Sequence, residues 1–474
     1  MSSSSFFLKS KPKSSKKRKV PLNSKFGKKN EVPKLPKIDR TEDDEEIHSS
    51  DEDEENLASV HFSEEEEDDE EIAETPQDKR LKLAKMYLEE IEKEEKSRAE
   101  DQVLLENNVS RRLTDEYLDS IGKLRRKIAN EYTGIDDKNI VQVKHKLHQL
   151  PVTCVCLTAD NKFLFTGNKS AIVLKWDCES MKVVGNIDCN VGKSVDEVEN
   201  SKKKRRPQTY TLAASTDGKF LAIGDMSPYI QIWCCEKLTH LQTFKGHRDI
   251  VTSLVFRKDT HDLYSASKDR SVKIWSLDEM AYVETLYGHQ SALTSIDALS
   301  RERAITAGGS DRSVRIWKIV EESQLVYNGH SGSIDIVKLI NEENFISAGD
   351  DGTLCLWSAM KKKPLSVKEL AHGKSEENDQ ANWISAVATL INTDVIASGS
   401  CDGVIRLWKL GENYRDITLL FEVPVRGFVN SLAFTNDGTK LIAAVGQEHR
   451  LGRWWRIKEA KNSVVVIPLL KKST

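Results

Sequence analysis

The sequence lacks the features that would place a protein in a membrane or outside the cell. It has no apolar run long enough to span a bilayer, and its N-terminus has no apolar core of the kind that a signal peptide contains. Its eight cysteines form no Cys-x-x-Cys pair and no metal-binding spacing. We therefore expect a soluble intracellular protein with reduced cysteines and with no membrane contact, metal or other cofactor.

Charge is nearly balanced overall but unevenly distributed along the chain. The net charge is −4, yet residues 1–37 contain twelve Lys and Arg against one acid, and residues 39–74 contain twenty acids against one Arg. Blocks of like charge with few apolar residues cannot bury enough surface to offset the loss of chain entropy. Residues 1–74 are therefore predicted to be a disordered tail, basic over 1–37 and acidic over 39–74.

The basic part of the tail contains a compact cationic cluster, SKKRKV, at residues 15–20. Such clusters are typical of nuclear import signals, here with Lys16, Lys17, Arg18 and Lys19 as the recognised residues. The alternative is a solvated basic tail with no role in transport. The compactness of the cluster favours import, so the sequence predicts a nuclear protein.

Residues 75–133 are predicted to form a helical segment. Thr75 and Pro76 suit the cap and the first position of a helix. Apolar side chains then recur at helical spacing in two stretches. The first stretch contains Leu81, Ala84, Leu88 and Ile91, and the second contains Leu113, Tyr117, Ile121, Leu124 and Ile128. Neither helix can bury its apolar stripe alone, so each is expected to dock on the next domain or on a partner.

Alternating strands that end in tryptophan recur through the rest of the chain. The clearest are SVKIW (271–275), SVRIW (313–317), TLCLW (353–357) and VIRLW (404–408), and two weaker ones are YIQIW (229–233) and IVLKW (172–176). Successive tryptophans are 57, 42, 42, 40 and 51 residues apart, close to the roughly 40–45 residues of a WD-repeat blade. The pattern predicts an all-β fold, a seven-bladed WD-repeat propeller over residues 138–470.

The seventh blade is less clear from the repeats. The segment EHRLGRWWRI follows Trp408 by one repeat, and its pattern favours Trp455 over Trp454 as the seventh repeat tryptophan. Residues 139–144 and residues 463–470 are alternative candidates for the strand that joins the last blade to the first.

The strong repeats also contain residues that can form one hydrogen-bonded chain: a loop His, a Ser ten residues before the Trp, a turn Asp and the Trp itself. Three sets are complete, namely His247, Ser265, Asp269 and Trp275; His330, Ser347, Asp351 and Trp357; and His372, Ser398, Asp402 and Trp408. The blade of His289, Asp311 and Trp317 has Ala307 at the serine position. Because these residues recur with the repeat, we interpret them as structural rather than catalytic. The segment GKS (192–194) lacks the first glycine of a phosphate-binding loop, so no enzyme is expected.

A propeller has no helix that reads a groove, so any contact with RNA must come from its loops. Candidates predicted to lie on one face are Lys268, Arg270, Arg312 and Arg450, the three arginines in equivalent turns; further candidates, in a long insert before the second blade, are Lys202, Lys203, Lys204, Arg205 and Arg206. Arg301, Arg303, Lys361, Lys362 and Lys363 are expected on the opposite face. For each residue the alternative is an ordinary solvated loop.

The chain resembles the family of WD-repeat proteins that interact with the U3 small nucleolar RNA. The resemblance rests on the basic and then acidic tail, KRLKLAKMYLEEI (79–91), the repeats and GQEHRLGRWWRIKEA (446–460), and it covers essentially the whole chain. The second blade departs from the family pattern because it has no Gly-His pair.

The resemblance implies a nucleolar RNA-binding component of the small-subunit processome, needed for early pre-rRNA processing towards 18S rRNA. The implied partners are U3 small nucleolar RNA, a small kink-turn-binding protein and other processome proteins, with no small-molecule substrate. The alternative is a protein-interaction propeller that acts as a scaffold in a nuclear complex without direct RNA contact.

Overall fold

The computed structural model describes most of the chain after the charged tail. The described residues are 76–96, 110, 112–118, 123–136, 139–189, 208–375, 379–452 and 455–472. The tail of residues 1–74, with the predicted import signal at Lys16–Lys19, lies outside them. So do the insert residues Lys202, Lys203, Lys204, Arg205 and Arg206, as well as Arg453 and Trp454.

Helix α1 spans Pro76–Lys96, and residues 112–118 form a further helical stretch. The two stretches meet where the Tyr87 hydroxyl donates a hydrogen bond to Glu116 Oε2 at 2.5 Å. Among the described helices, none combines the length and the apolar character needed to cross a membrane.

Two short strands, β1 (Tyr132–Ile135) and β2 (Val141–Val143), precede six four-stranded antiparallel sheets in which the strands lie in chain order. The first three sheets consist of β3 (Val152–Leu157), β4 (Phe163–Asn168), β5 (Ile172–Asp177) and β6 (Val183–Asp188); β7 (Thr209–Ala214), β8 (Phe220–Asp225), β9 (Tyr229–Cys234) and β10 (His240–Lys245); and β11 (Val251–Phe256), β12 (Asp262–Ser267), β13 (Ser271–Ser276) and β14 (Ala281–Tyr287).

The next three sheets consist of β15 (Leu293–Ala298), β16 (Arg303–Gly308), β17 (Ser313–Lys318) and β18 (Ser323–Asn328); β19 (Ile334–Leu339), β20 (Asn344–Gly349), β21 (Leu354–Ser358) and β22 (Lys361–Lys368); and β23 (Ala386–Thr389), β24 (Val395–Gly399), β25 (Val404–Leu410) and β26 (Ile417–Pro424). A short 3-10 helix, Glu412–Tyr414, connects β25 to β26. The last sheet contains β27 (Phe428–Phe434), β28 (Lys440–Gly446) and β29 (Ser463–Lys471).

Neighbouring sheets share apolar cores. Trp275, Trp357 and Trp408 of the third strands are almost fully buried in these layers. Removing a buried tryptophan typically costs about 3–5 kcal/mol. The repeated tryptophan is therefore a main determinant of how the blades pack.

The blades close into a ring. The innermost strands contact one another in the order β3, β7, β11, β15, β19, β23 and β27, and β27 contacts β3 in turn. A core shared by the first and seventh blades, which includes Val152, Trp176 and Val464, seals the closure. The predicted seven-bladed propeller is therefore confirmed.

The seventh blade is built from both ends of the chain. Its third strand, β29, pairs with β28 on one side and with β1 and β2 on the other. Both candidate closing segments are therefore used, residues 463–470 in the third strand and residues 141–143 in the outer position. The sequence placed residues 132 and 133 in the helical segment, but they lie in β1 and extend this outer pairing to Lys471.

The prediction that Trp455 ends a strand of the seventh blade is wrong. Residues 447–462 form a long connection between β28 and β29, and Trp455 lies within it. Ile467 takes the place of the repeat tryptophan, because it pairs with Leu441 as Trp275 pairs with Leu263. The pattern failed here because it assumes the short turn found in the other blades.

Residues 123–131 are not helical, contrary to the prediction for Leu124 and Ile128. The backbone N–H groups of Ile128 and Ala129 both donate to Asp394 Oδ1 at 2.9 Å. Asp394 thus takes the donors that a helix would use internally, and the segment docks on the sixth blade without regular secondary structure.

The topology sorts the connections into two faces of the ring. Turns between second and third strands, and loops between blades, lie on one face, which we call the upper face. Connections between first and second strands, and between third and fourth strands, lie on the opposite, lower face. The upper face therefore carries Lys268, Arg270 and Arg312, and the lower face carries Arg301, Arg303, Lys361, Lys362 and Lys363.

Candidate nucleic-acid interface

Hydrogen-bonded tetrads hold the upper face in shape. In the third blade, His247 Nδ1 lies 2.9 Å from Asp269 Oδ2, and His247 Nε2 lies 2.8 Å from Ser265 Oγ. The Trp275 indole N–H donates to the same hydroxyl at 2.9 Å. The fifth and sixth blades contain the same contacts among His330, Ser347, Asp351 and Trp357 and among His372, Ser398, Asp402 and Trp408. Each tetrad joins the incoming loop, the turn and the third strand.

The fourth blade also has a tetrad, but Ala307 was the wrong position for its hydroxyl. Thr306 supplies it, 2.8 Å from His289 Nε2, and accepts the Trp317 indole N–H at 2.8 Å. The hydroxyl stands 11 residues before the tryptophan here and 10 in the third blade. The turn at residues 309–312 is one residue longer than the turn at 268–270, which accounts for the shift.

The first blade contains a partial tetrad that sequence reasoning missed. His148 Nε2 lies 2.8 Å from Thr166 Oγ1, which also accepts the Trp176 indole N–H at 2.8 Å. Burial lowers the pKa of His148 to about 4, so the imidazole is neutral. A signal was available, because His148 precedes Trp176 by the same interval as His247 precedes Trp275.

The turn aspartates of the tetrads are held as carboxylates. Burial would raise the pKa of Asp311, but hydrogen bonds from His289 and Ser313 lower it to about 2. The pKa values of Asp269 and Asp351 lie well below the ordinary range for the same reason. The imidazoles that face these carboxylates are fully buried. They cannot reach a substrate, so the arrangement supports folding rather than catalysis.

Arg270 and Arg312 directly follow tetrad aspartates and are exposed on the upper face. Their backbones are left-handed, with φ of 69° and 56°. In the fifth and sixth blades the same turn position holds Gly352 and Gly403, with φ of 66° and 81°. A residue with a side chain costs roughly 1 kcal/mol more than glycine in this conformation. The third and fourth blades therefore carry arginine where the backbone favours glycine.

The side chains around these turns are only lightly engaged. Arg312 Nη1 donates to the Ser331 carbonyl at 3.0 Å, and Lys268 Nζ lies 5.9 Å from the centre of the Tyr210 ring. Both cations remain at the surface of the ring, where they can meet an anion.

Arg450 does not occupy a turn equivalent to those of Arg270 and Arg312, so that prediction is wrong. Its backbone N–H donates to Asn430 Oδ1 at 2.8 Å, and its carbonyl accepts from Gln208 Nε2 at 2.6 Å. Its guanidinium points across the ring towards the Asp335 carbonyl, 3.4 Å away. The long connection at 447–462 carries Arg450 into the central channel instead of leaving it on the rim.

The neighbours of Arg450 fix this connection over the mouth of the channel. Lys169 forms a buried ion pair with Glu448 at 3.4 Å and donates to the His449 carbonyl at 2.6 Å. The His449 ring packs on Trp383 with 4.0 Å between centroids, and the Trp383 indole N–H donates to the Asp335 carboxyl group. Burial raises the pKa of Asp335 to about 7 and lowers that of His449 to about 3.

Gln208 and Trp455 also lie at the connection 447–462 on the upper face. Gln208, which binds the Arg450 carbonyl, is the first described residue after the insert that contains Lys202–Arg206. Trp455 is 45% exposed within the connection. The insert therefore joins the propeller beside the mouth of the channel.

The lower face carries side chains of both charge signs. Lys361, Lys362 and Lys363 are exposed there. Acidic side chains lie among the other cations, since Glu342 Oε1 accepts from the Arg301 backbone at 3.2 Å and Lys318 pairs with Glu321 at 2.9 Å. Within the described ranges, no cluster of His, Cys, Asp and Glu could hold a metal ion.

The family model described as WD domain, G-beta repeat matches residues 141–177, 238–276, 280–318, 321–358 and 374–409. These matches end in the third strands of the first, third, fourth, fifth and sixth blades. They are the blades in which a histidine, a hydroxyl and the tryptophan are linked.

Relatives match this chain over most of its length and over most of their own. Human U3 small nucleolar RNA-interacting protein 2 is 49% identical over 407 residues, covering 84% of this chain and 83% of that protein. Ribosomal RNA-processing protein 9 of Saccharomyces cerevisiae is 27% identical, with coverage of 89% and 94%. The solved structure of U3-55K is 48% identical and superposes with a TM-score of 0.66, covering 71% of this chain and 100% of that one.

Proposed function

Since the chain belongs to the family of WD-repeat proteins of the U3 small nucleolar ribonucleoprotein, we propose that its upper face binds U3 small nucleolar RNA directly. Membership in this family gives the chain a role in ribosome biogenesis. Within that role, we assign it to the small-subunit processome and to early pre-rRNA processing towards 18S rRNA.

The observation that carries the proposal is the pair of exposed turn arginines. Arg270 and Arg312 stand where the backbone favours glycine, and among the described residues the bond from Arg312 to the Ser331 carbonyl is the one hydrogen bond that either guanidinium makes to the fold. Ala171 has the same left-handed conformation in the corresponding turn of the first blade but is buried, so the feature that distinguishes Arg270 and Arg312 is their exposed charge. Guanidinium groups are well suited to phosphate oxygens, which supply much of the affinity of proteins for nucleic acids.

Neighbouring features support the same face. Lys268 lies in the turn of Arg270, and the insert with Lys202, Lys203, Lys204, Arg205 and Arg206 joins the ring on this side. We include these residues in the proposed interface. Arg450 is left out because its guanidinium is enclosed in the channel.

The test compares two sets of charge reversals in the full chain. Arg270→Glu with Arg312→Glu should strongly weaken binding to transcribed U3 RNA. It should also flatten the dependence of log K on log salt by roughly 0.7–0.9 per lost phosphate contact. Lys361→Glu, Lys362→Glu and Lys363→Glu form the matched control on the lower face. If the control loses the RNA and the double variant keeps it, the proposed face is wrong.

The partners and location follow from the same proposal. A small kink-turn-binding protein would share the RNA with this chain, next to other processome proteins. The nucleolus is the proposed site of action, reached through the import signal at Lys16–Lys19. Deleting residues 1–37 should leave the propeller folded but reduce nuclear accumulation of a fluorescent fusion. Normal uptake without a carrier partner would contradict the import signal.

A protein-interaction scaffold without RNA contact is the second candidate. It is favoured by α1, on which Leu81, Leu83 and Met86 are exposed. Changing these three residues to Ser should then release copurifying proteins. Under the RNA-binding proposal, the affinity for U3 RNA should remain unchanged in the same variant.

A further inference from the structure

Tyr287 is an aromatic side chain on the upper face with no evident role in the fold. It is the last residue of β14 and is 69% exposed. Within the described part of the chain, its ring packs on no aromatic ring or cation and its hydroxyl has no hydrogen-bond partner. Tyr282 in the same strand is different, because its ring packs on Trp275 and its hydroxyl bonds Thr285. The exposure of Tyr287 is therefore not a general property of this strand.

The stretch of chain that begins with Tyr287 is connected to the turns of both exposed arginines. It pairs across the sheet with Ser271, which directly follows Arg270. Two residues beyond Tyr287, His289 and the backbone N–H of Gln290 both bind Asp311, which directly precedes Arg312. The same short stretch of chain is thus tied to the Arg270 turn on one side and to the Arg312 turn on the other.

We propose that Tyr287 stacks on an unpaired RNA base whose flanking phosphates meet Arg270 and Arg312. This inference rests on the proposed function and names the part of the RNA that the site takes. Tyrosine faces stack on bases of any identity, and only an unpaired base can be turned towards them. An aromatic ring next to two cationic turns suits a single strand, in which bases alternate with phosphates. Bases inside a duplex cannot reach the ring.

The experiment uses the full chain and transcribed U3 RNA, with affinity measured over a range of salt concentrations. Tyr287→Ala should weaken binding by about tenfold. The slope of log K against log salt should stay unchanged, because no phosphate contact is lost. Tyr287→Phe keeps the ring and should bind within about twofold of the wild type. Val283→Ala, an exposed change in the same strand, is the control, and all variants should melt like the wild type.

The outcomes separate this inference from the proposed function. If Tyr287→Ala binds as tightly as the wild type while Arg270→Glu with Arg312→Glu loses the RNA, stacking is overturned and the proposed function stands. If the arginine variant also binds normally, the proposed function fails. If Tyr287→Ala keeps the RNA but loses a copurifying protein, the side chain belongs to a protein contact and stacking is again overturned.

Discussion

Arg270 and Arg450 show how one topological position can lead to two different environments. Both residues follow the second strand of a blade, in the connection to the third strand. Arg270 lies in a short turn and is exposed on the rim, whereas Arg450 lies in the connection 447–462 and points into the channel. The difference shows that the length of the connection, and not its place in the repeat, decides whether a cation is available to a ligand.

The tetrad of the third blade explains why the short turn stays on the rim. Asp269 accepts hydrogen bonds from His247, from the Arg248 N–H and from Ser271, so the turn is tied down on both sides. The seventh blade has His449 near the corresponding place, and this residue packs on Trp383 instead. The carboxylate of this connection, Glu448, pairs with Lys169 instead of a loop histidine, and the connection finds its partners inside the ring.

The largest expected effect tests the anchoring of the long connection. Glu448→Ala should lower the free energy of unfolding by about 3 kcal/mol, because it leaves the buried Lys169 ammonium without its carboxylate. Urea denaturation followed by tryptophan fluorescence measures the loss. Arg456→Ala is the control; this more exposed cation sits 3.9 Å from the same carboxylate and should change stability by less than about 0.5 kcal/mol. Equal losses in the two variants would contradict the anchoring.

The second test separates two adjacent residues of the short turn. Asp269→Ala should cost about 1–3 kcal/mol because it strands His247 and Ser271, and it should reduce RNA binding only through folding. Arg270→Ala should do the opposite, with a stability near that of the wild type and weaker binding. Thermal melts and filter binding on the same preparations compare them. A stable Asp269→Ala protein that loses RNA would show that the carboxylate itself contacts the ligand.

A third test uses pH to distinguish the carboxyl groups of the two regions. The folded-state pKa of Asp335 is raised to about 7, so the native state holds a proton that the unfolded chain releases near pH 4. Its contribution to stability therefore falls as pH rises from about 4 to 7. Asp311 has a lowered pKa of about 2, so its contribution is lost only as pH falls below about 4.

Asp335→Asn should remove the decline between pH 5 and 7 and keep an acceptor for the Trp383 indole. Melting temperatures of the variant and the wild type across this range give the result. A wild-type protein whose stability is as flat with pH as that of the variant would show that Asp335 does not titrate in the native channel.

The smallest effect concerns the left-handed turns. Arg270→Gly with Arg312→Gly should leave the free energy of unfolding unchanged or raise it by up to about 1 kcal/mol, because glycine relieves the conformation seen at φ of 69° and 56°. RNA affinity should nevertheless fall. Arg450→Gly should instead lower stability, since its guanidinium is enclosed against the fifth blade. A clear destabilisation by the double glycine change would mean that these arginines support the fold.

Much of the fold could be predicted because each blade repeats a local code. The strand at residues 271–275 was identified from its alternation and its terminal tryptophan, which recur with a turn aspartate in the third, fourth, fifth and sixth blades. The hydroxyl at Thr306 was missed because one extra turn residue shifts the count. The seventh blade was misread because Ile467 fills the tryptophan position without any repeat motif around it.

The candidate site was predicted only in part. The upper-face position of Arg270 and Arg312 followed from the repeat. A short turn lies at the end of the two antiparallel strands that it connects, so the turn between the second and third strands is on the same face in each blade. Tyr287 was not identified as a candidate RNA contact. The sequence alone does not distinguish an exposed tyrosine at the end of a strand from a buried one.

The sequence by itself determined the number of blades, the tetrads of the third, fifth and sixth blades and the charge pattern of the tail, because these depend on residues close together in the chain. Only the tertiary structure decided that β1 and β2 form the outer edge of the seventh blade and that the described part of the connection 447–462 lies at the mouth of the channel instead of forming a strand. Those outcomes depend on contacts such as Lys169 with Glu448 and Val141 with Val466. Such partners are brought together by the closed ring and are not marked by any local pattern.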